Sequence, residues 1–213
     1  PLFHRHARGL ILTEQGEVLY RTAREIYVSV NMAQSRLEEN QEKPEGNLKI
    51  TTTVAFGSVW LTSRIKTFIE MYPDIQVSVV LADNELDLSM READVAIRMM
   101  PPRQPDLIQR HLMIMRYRIY ASPAYLETNG TPKSVDDLDN HQMITYGDGG
   151  KFPVDRYNWL MEGRSPILKV NSTFGIYRAV QSGLGIAALP DYMSHEDSDL
   201  VEVLPNMEGP SFD

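Results

Sequence analysis

Apolar residues recur at alternating steps of four and three between Leu19 and Leu37, and the residues between them are mostly polar. This spacing is typical of one narrow stripe on an α-helix with a heptad repeat. A helix from about Thr13 to Gln41 would be roughly 40 Å long. A narrow stripe on so long a helix favours contact with a partner helix, and the alternative is packing on the chain's own domain. The stripe consists of Leu19, Ala23, Ile26, Val30, Ala33 and Leu37.

The residues before this helix predict a β-hairpin from Arg5 to Leu12. Polar residues come first, a turn is expected at Arg8-Gly9, and an apolar "LIL" run follows in extended style. Thr13 is a suitable N-cap for the helix, and the acidic residues in its first turns suit the positive end of the helix dipole.

The pattern changes after "EKPEGN" (residues 42–47), where Pro and Gly indicate the end of the helix and a domain boundary. Strand-like and helix-like segments then alternate, which predicts a βαβαβ arrangement with a parallel, doubly wound sheet. The predicted elements are a strand over 48–54, a helix over Val59–Tyr72, a strand over 75–81, a helix over 85–93 and a strand over 94–99.

A second α/β unit follows the run 107–122, which is long enough to leave one sheet and enter another. A final strand at 200–205 is expected to return to the first sheet. Two α/β lobes joined in this way leave a cleft at the carboxyl ends of their strands, where such sheets bind ligands. The second unit is predicted to contain helix Pro123–Thr128, a "VDDL" turn, strands Gln142–Tyr146 and Ile167–Asn171, helix Phe174–Ser182 and strand Gly185–Leu189.

Composition narrows the function classes. The 213 residues contain no cysteine, which excludes disulfides, thiol catalysis and thiolate metal sites. No apolar run reaches the roughly 20 residues of a membrane span, and the first residues lack the apolar core of a signal peptide, so we expect a cytoplasmic protein. The formal net charge is −8, yet residues 1–43 are neutral overall and begin with a basic tip. Such an arm can contact nucleic acid although the rest of the chain is acidic.

Five stretches resemble successive landmarks of the LysR-type transcriptional regulators, and in particular of their alphaproteobacterial LsrB-like subgroup. They are "LFHRHARGLILTEQGE", "ADVAIRM", "YASPAYLETNG", "DDLDNHQMITYG" and "SGLGIAALPDY". The resemblance implies an α/β protein whose two-lobed effector domain is like a periplasmic binding protein. It also implies a helix-turn-helix before Pro1 and a further strand and helix after Asp213.

The same resemblance assigns three regions to the chain. Residues 1–12 correspond to the wing of a winged helix-turn-helix, residues 13–43 to a dimerising linker helix, and residues 44–213 to the effector-binding domain. Within that domain, lobe I is expected over about 47–114 and 198–213, and lobe II over about 115–197. The apolar stripe would then form the dimer seam.

Arg5, His6 and Arg8 are the candidate DNA-contacting residues. On a hairpin they suit contacts to phosphate or to the minor groove. Without the resemblance, a solvated turn would be the simpler interpretation, because three cationic or polar residues at a turn need no ligand.

The stretch "TTTVAFGS" (51–58) places hydroxyls and small residues where a strand ends and a helix begins. Unbonded N–H groups at such a junction attract anions, and the family binds its effector there. A polar strand end without a ligand is the alternative. Arg98 follows a strand and suits an anion, and Thr173 is expected to cap a helix facing the same cleft. The predicted effector residues are Thr53, Ala55, Phe56, Gly57, Ser58, Arg98 and Thr173.

No catalytic residue, cofactor or metal site is predicted. The five histidines are widely spaced, and "GLG" at 183–185 lacks the remainder of a dinucleotide fingerprint. The sequence therefore predicts a transcriptional regulator that is not an enzyme and that responds to a small anionic effector. A solute-binding protein of a transport system, with the same two-lobed fold, is the alternative, and a small α/β enzyme is a further one. The expected partners are promoter DNA, the effector, a second copy of the chain as homodimer or homotetramer, and RNA polymerase, with no membrane.

Overall fold

The computed structural model describes residues 1–6, 9–23, 26, 30, 43–84, 93–101, 107–147, 158–194 and 199–212. The chain forms two compact units. Unit 1 comprises Pro1–Thr51, Ile69–Val80 and Glu85–Ala96, and unit 2 comprises Thr52–Phe68, Leu81–Asn84 and Ile97–Asp213.

Unit 1 begins with the predicted hairpin. Strands β1 (Phe3–His6) and β2 (Gly9–Leu12) are antiparallel, with His6 opposite Gly9. Gly9 is the first residue of β2, so the expectation that it belongs to the turn was wrong; Arg8 lies outside the described residues. Helix α1 follows over residues 14–23, and positions 26 and 30 are also helical. Thr13 caps it as predicted, because its Oγ1 accepts a hydrogen bond from Gly16 N at 3.0 Å.

The apolar stripe of α1 is exposed along its described part. Leu19, Ile26 and Val30 keep 51%, 60% and 56% of their surface accessible, and Ala23 is exposed as well. Ala33 and Leu37 lie outside the described residues. The single chain therefore does not bury the described side chains of this stripe, so packing on its own domain does not explain why they are apolar.

The next sheet has the strand order β4-β3-β5, with β3 (Gly46–Thr52), β4 (Ile75–Leu81) and β5 (Val95–Ile97). Hydrogen bonds from Gly46 N to Asp74 O (3.1 Å) and from Ala82 N to Thr52 O (2.9 Å) join the beginnings and the ends of β3 and β4. The two strands therefore run parallel, as predicted. The helix expected over 85–93 lies almost entirely outside the described residues.

The helix after β3 begins earlier than the sequence pattern indicates. It consists of α2 (Val54–Phe56), a π-helical turn (Gly57–Leu61) and α3 (Thr62–Met71), without a break. The expected start at Val59 was wrong. The helix begins at Val54, directly after the extended residue Thr53, and the Asp83 carboxylate accepts a hydrogen bond from the N–H of Val54 at this start. Residues 55–58 are thus helical and do not form a loop.

The π-helical turn is defined by the carbonyl oxygen of Gly57. It accepts from the N–H of Thr62, five residues on, and from Thr62 Oγ1 at 2.6 Å. Gly57 itself is closely packed, since a Cβ atom there would lie 2.1 Å from Leu81 Cδ2 and 2.9 Å from Thr52 Cγ2. Glycine at this position allows the wide turn to pack against the end of β4.

Strand β6 (Met115–Ala121) is the centre of unit 2. It pairs antiparallel with β9 (Ala187–Pro190), β10 (Val201–Val203) and β11 (Ser211–Phe212). The prediction that the strand near 200–205 returns to the first sheet was therefore wrong. Residues 107–114 are irregular, so the predicted long strand is confirmed only in its second half.

Two helices of unit 2 begin at serine caps. Ser122 accepts from Tyr125 N before α4 (Pro123–Asn129), and Ser172 accepts from Gly175 N before α5 (Thr173–Gln181). The expectation that Thr173 is the cap was wrong by one residue. Strands β7 (Ile144–Tyr146) and β8 (Leu168–Val170) form a parallel pair.

The core of unit 2 is apolar and closely packed. Its buried cluster comprises Ile119, Ala121, Tyr125, Leu138, Met143, Leu160, Ile186 and Val203. Within the described ranges, no helix has both the length and the apolar character needed to cross a bilayer.

Candidate effector site

A recess in unit 2 lies where several strands end and α2 begins. It is narrow and opens to solvent. Its wall combines one carboxylate, two threonine hydroxyls and three tyrosines with small and apolar side chains. We call it the polar recess, and it is lined by Thr53, Ala55, Asp83, Met99, Tyr117, Tyr146, Thr173, Pro190 and Tyr192.

Thr53 supplies a buried hydroxyl to this wall. It is the extended residue between β3 and α2, with φ −65° and ψ 152°. Only 8% of its surface is accessible, and its Oγ1 has no hydrogen-bond partner among the described residues. A buried hydroxyl without a partner is costly, so a bound ligand or a water molecule is the natural partner for it.

Asp83 occupies the amino end of α2. Its Oδ1 accepts a hydrogen bond from Val54 N at 3.0 Å. A carboxylate is favoured at this end of a helix by the unbonded N–H groups and by the helix dipole. The main donor that we expected to attract an anionic effector is therefore already bonded to a carboxylate of the chain.

Arg98 holds the loop that carries Asp83. Its Nη1 donates to Ala82 O at 2.9 Å and its Nη2 approaches Asn84 O at 3.4 Å, so the guanidinium bridges the residues on either side of Asp83. It does not belong to the lining of the polar recess. The predicted pairing of Arg98 with a bound anion is not supported by these contacts.

Three tyrosines add aromatic faces and hydroxyls to the polar recess. Burial raises the pKa of Tyr146, and the nearby negative charge of Asp83 raises it further. Tyr146 is therefore protonated at neutral pH. Tyr192 packs edge-to-face against Phe56, with ring centroids 5.2 Å apart. Phe56 also stacks on Trp60, with ring centroids 4.9 Å apart.

A second, very small recess adjoins the first and shares Tyr117, Tyr146 and Thr173 with it. Its remaining wall is mostly aliphatic. Thr145 brings a hydroxyl, but its Oγ1 already donates to Asn158 Oδ1 at 2.5 Å. We call this space the apolar recess; its other lining residues are Ile144, Thr145, Leu160, Met161, Ile176 and Ala188.

The structure brings together three of the seven predicted effector residues. Thr53, Ala55 and Thr173 line the polar recess. Phe56 and Gly57 are buried beside it in the packing described above, whereas Ser58 is exposed. Their assignment to the effector site stays a prediction.

Sequence reasoning missed Asp83, Met99, Tyr117, Tyr146, Pro190 and Tyr192. A signal was present for several of them, because they lie at or just after the carboxyl ends of strands. Asp83 follows β4, Tyr146 ends β7 and Pro190 ends β9. Side chains at the carboxyl ends of strands converge in α/β sheets, so these positions indicate a ligand site in the same way as Thr53 does.

Two of the three DNA-contacting candidates lie in the hairpin. Arg5 and His6 belong to β1, and Arg8 lies outside the described residues. The described ranges contain no group of three or more His, Asp or Glu residues placed to hold a metal ion.

Comparison with known proteins places this chain among transcriptional regulators. Residues 41–212 match the model of the LysR substrate binding domain. The chain is 29% identical over 216 residues to an uncharacterized HTH-type transcriptional regulator of Haemophilus influenzae, covering 96% of this chain and 73% of the relative. It is 30% identical over 208 residues to the HTH-type transcriptional regulator CrgA of Neisseria meningitidis, covering 94% and 68%.

Solved structures agree with this similarity. The structure of CrgA, a LysR-type transcriptional regulator from Neisseria meningitidis, matches all of this chain and 76% of its own, with a TM-score of 0.65 at 27% identity. The full-length structure of the Vibrio cholerae virulence activator AphB matches all of this chain and 75% of its own, with a TM-score of 0.61 at 25% identity. These matches confirm the predicted two-lobed α/β fold of the periplasmic-binding-protein type.

Proposed function

Because the chain belongs to the LysR-type transcriptional regulators, we propose that the polar recess binds the small-molecule effector to which this regulator responds. The observation that carries this proposal is the buried Oγ1 of Thr53, which lines the recess without a partner among the described residues. The relatives are regulators and not transport proteins or enzymes, which favours this function over the alternatives. The narrower resemblance to the LsrB-like subgroup stays a prediction.

Effector binding would act on DNA through linkage. A ligand that binds one arrangement of the sensor more tightly shifts the regulator toward that arrangement, and DNA affinity changes with it. Residues 13–43 would connect the sensor to the DNA-binding end and join two copies into a homodimer or homotetramer. We place this activity in the cytoplasm, where DNA and RNA polymerase are its partners.

Thr53→Val tests the recess as the effector site. The change keeps the side-chain volume and removes only the hydroxyl, so melting curves should remain close to those of the wild type. A thermal-shift screen of small metabolites identifies ligands, and calorimetric titration of each hit into the variant should show a loss of about 1–2 kcal/mol.

Thr52→Val is the matched control for this experiment. Thr52 is also buried, with an Oγ1 that has no partner among the described residues, yet it does not line the recess. Ligand affinity should therefore be retained in Thr52→Val. Equal affinity in both variants would show that the metabolites bind elsewhere.

The hairpin is proposed to contact DNA through Arg5, His6 and Arg8. In the full-length regulator, Arg5→Ala/Arg8→Ala should weaken binding to all DNA sequences and reduce the salt slope by about one unit per lost phosphate contact. Fluorescence anisotropy at several salt concentrations measures both quantities. Lys133→Ala/Lys169→Ala removes the same charge from exposed positions of unit 2 and should leave the slope unchanged. A slope that stays the same in the hairpin variant would contradict the assignment.

A further inference from the structure

The polar recess carries a fixed negative charge. Asp83 is the one charged side chain among its described lining residues, and no further hydrogen bond from a described residue reaches this carboxylate beyond that of Val54 N. Asp83 is exposed, so a ligand in the recess can reach its second oxygen.

The carboxylate is held in place from both sides. Arg98 is anchored to the carbonyl groups of Ala82 and Asn84, which fixes the backbone around Asp83. The bond to Val54 N fixes the side chain. An anionic ligand would have to displace Asp83 from the helix end and would then remain next to its charge.

Arg98 lies outside the lining of the recess, and other lining groups suit a cation beside this carboxylate. Thr53 Oγ1 lines the recess and can accept a hydrogen bond from an ammonium group. Met99 and Pro190 belong to the same lining, so a ligand with its charged group at Asp83 can place an apolar portion against them.

We propose that the effector of this regulator is a small primary amine with an apolar body, bound through its ammonium group to Asp83 and Thr53. This proposal rests on the recess being the effector site, and it names the chemical class that the site selects. It replaces the anionic effector expected from the sequence.

Three probes of similar shape test the class: 2-phenylethylamine, 2-phenylethanol and phenylacetate. In calorimetric titrations of the wild-type chain near pH 7, the amine should bind roughly tenfold or more tightly than either of the others, because its hydrogen bond to Asp83 is charge-assisted. The affinity of the amine should also fall as salt is added, while that of the alcohol should not change.

The variant Asp83→Asn tests the effect of the negative charge of Asp83 on amine binding, because it removes the charge and keeps the shape of the side chain. The amide oxygen can still accept from Val54 N, so the melting temperature should be retained while the affinity of the amine falls roughly tenfold. Asp136→Asn removes one negative charge from an exposed position outside both recesses and should have no effect on binding.

Two outcomes would overturn the inference. One is tighter binding of phenylacetate than of the amine, and the other is the absence of any binding heat from the amine. Neither outcome affects the proposal that the recess is the effector site, which depends on the contrast between Thr53→Val and Thr52→Val. The salt dependence is measured on the wild type, so the test remains decisive if Asp83→Asn unfolds.

Discussion

Ile26→Asp is expected to separate the assembled protein into smaller species while each chain stays folded. Ile26 is 60% exposed in the single chain and lies in the middle of the stripe formed with Leu19, Ala23 and Val30. If that stripe packs against a second copy, the new carboxylate is buried in an apolar seam, which costs several kcal/mol. Since about 1.4 kcal/mol corresponds to a tenfold change, association should weaken roughly a hundredfold or more. Sedimentation velocity over a range of concentrations measures this change.

Val18→Asp provides the matched control. Val18 lies on the same helix and is 62% exposed, but it is outside the stripe. The same charge placed there should leave the assembly unchanged, and circular dichroism should show native secondary structure in both variants. An Ile26→Asp variant that sediments like the wild type would mean that α1 does not form the interface.

Gly185→Ala is expected to destabilise unit 2 strongly. A Cβ atom at this buried position would lie 2.3 Å from Gln142 O, a backbone atom that cannot rotate away. The same carbonyl accepts from Ile186 N at 2.8 Å, and Ile144 N bonds to Ile186 O at 2.9 Å. Relief of the clash would break this pairing and loosen the packing of Ile186, so we expect a loss of roughly 2–4 kcal/mol.

The free energy of unfolding, measured with urea, and the melting temperature both report this loss. For a chain of this size the melting temperature should fall by roughly 5–12 °C. Gly163→Ala separates crowding from backbone conformation: Gly163 has a positive φ of 76° but nothing within 4 Å of its Cβ position, so the cost there should be only about 1 kcal/mol. Unchanged stability in Gly185→Ala would show that the backbone of Gln142 can move freely.

Local patterns were sufficient for most elements of this fold. The strand over Ile75–Leu81 was predicted with its observed bounds, because alternating side chains follow Pro73 and Asp74 directly. The capped start of α1 was predicted from a threonine before two glutamates. The position of β10 was not predictable in this way. Alternation at Val201 and Val203 indicates a strand, but the choice of β6 as its neighbour depends on long-range packing.

The candidate site was predictable only in part, because some of its residues are placed by contacts between distant parts of the chain. Thr53 was identified because its own neighbours in the sequence mark the end of a strand and the start of a helix. Asp83 was missed because its role arises from Val54, which is 29 residues away along the chain. No local pattern indicates that this aspartate occupies the donor that an anion would use, and this contact is the reason that we propose a cationic effector instead.

The π-helical turn at Gly57–Leu61 explains why a single helical period failed to locate the start of its helix. A turn closed over five residues contains one residue more than an α-helical turn, and each α-helical residue accounts for about 100° of rotation. Residues before the turn are therefore out of phase with those of α3. The orientation of Ala55 toward the recess is thus set independently of the helical phase of α3. Removing one residue from this turn would rotate α2 relative to α3 by about a quarter of a revolution, and Ala55 would then no longer face the recess.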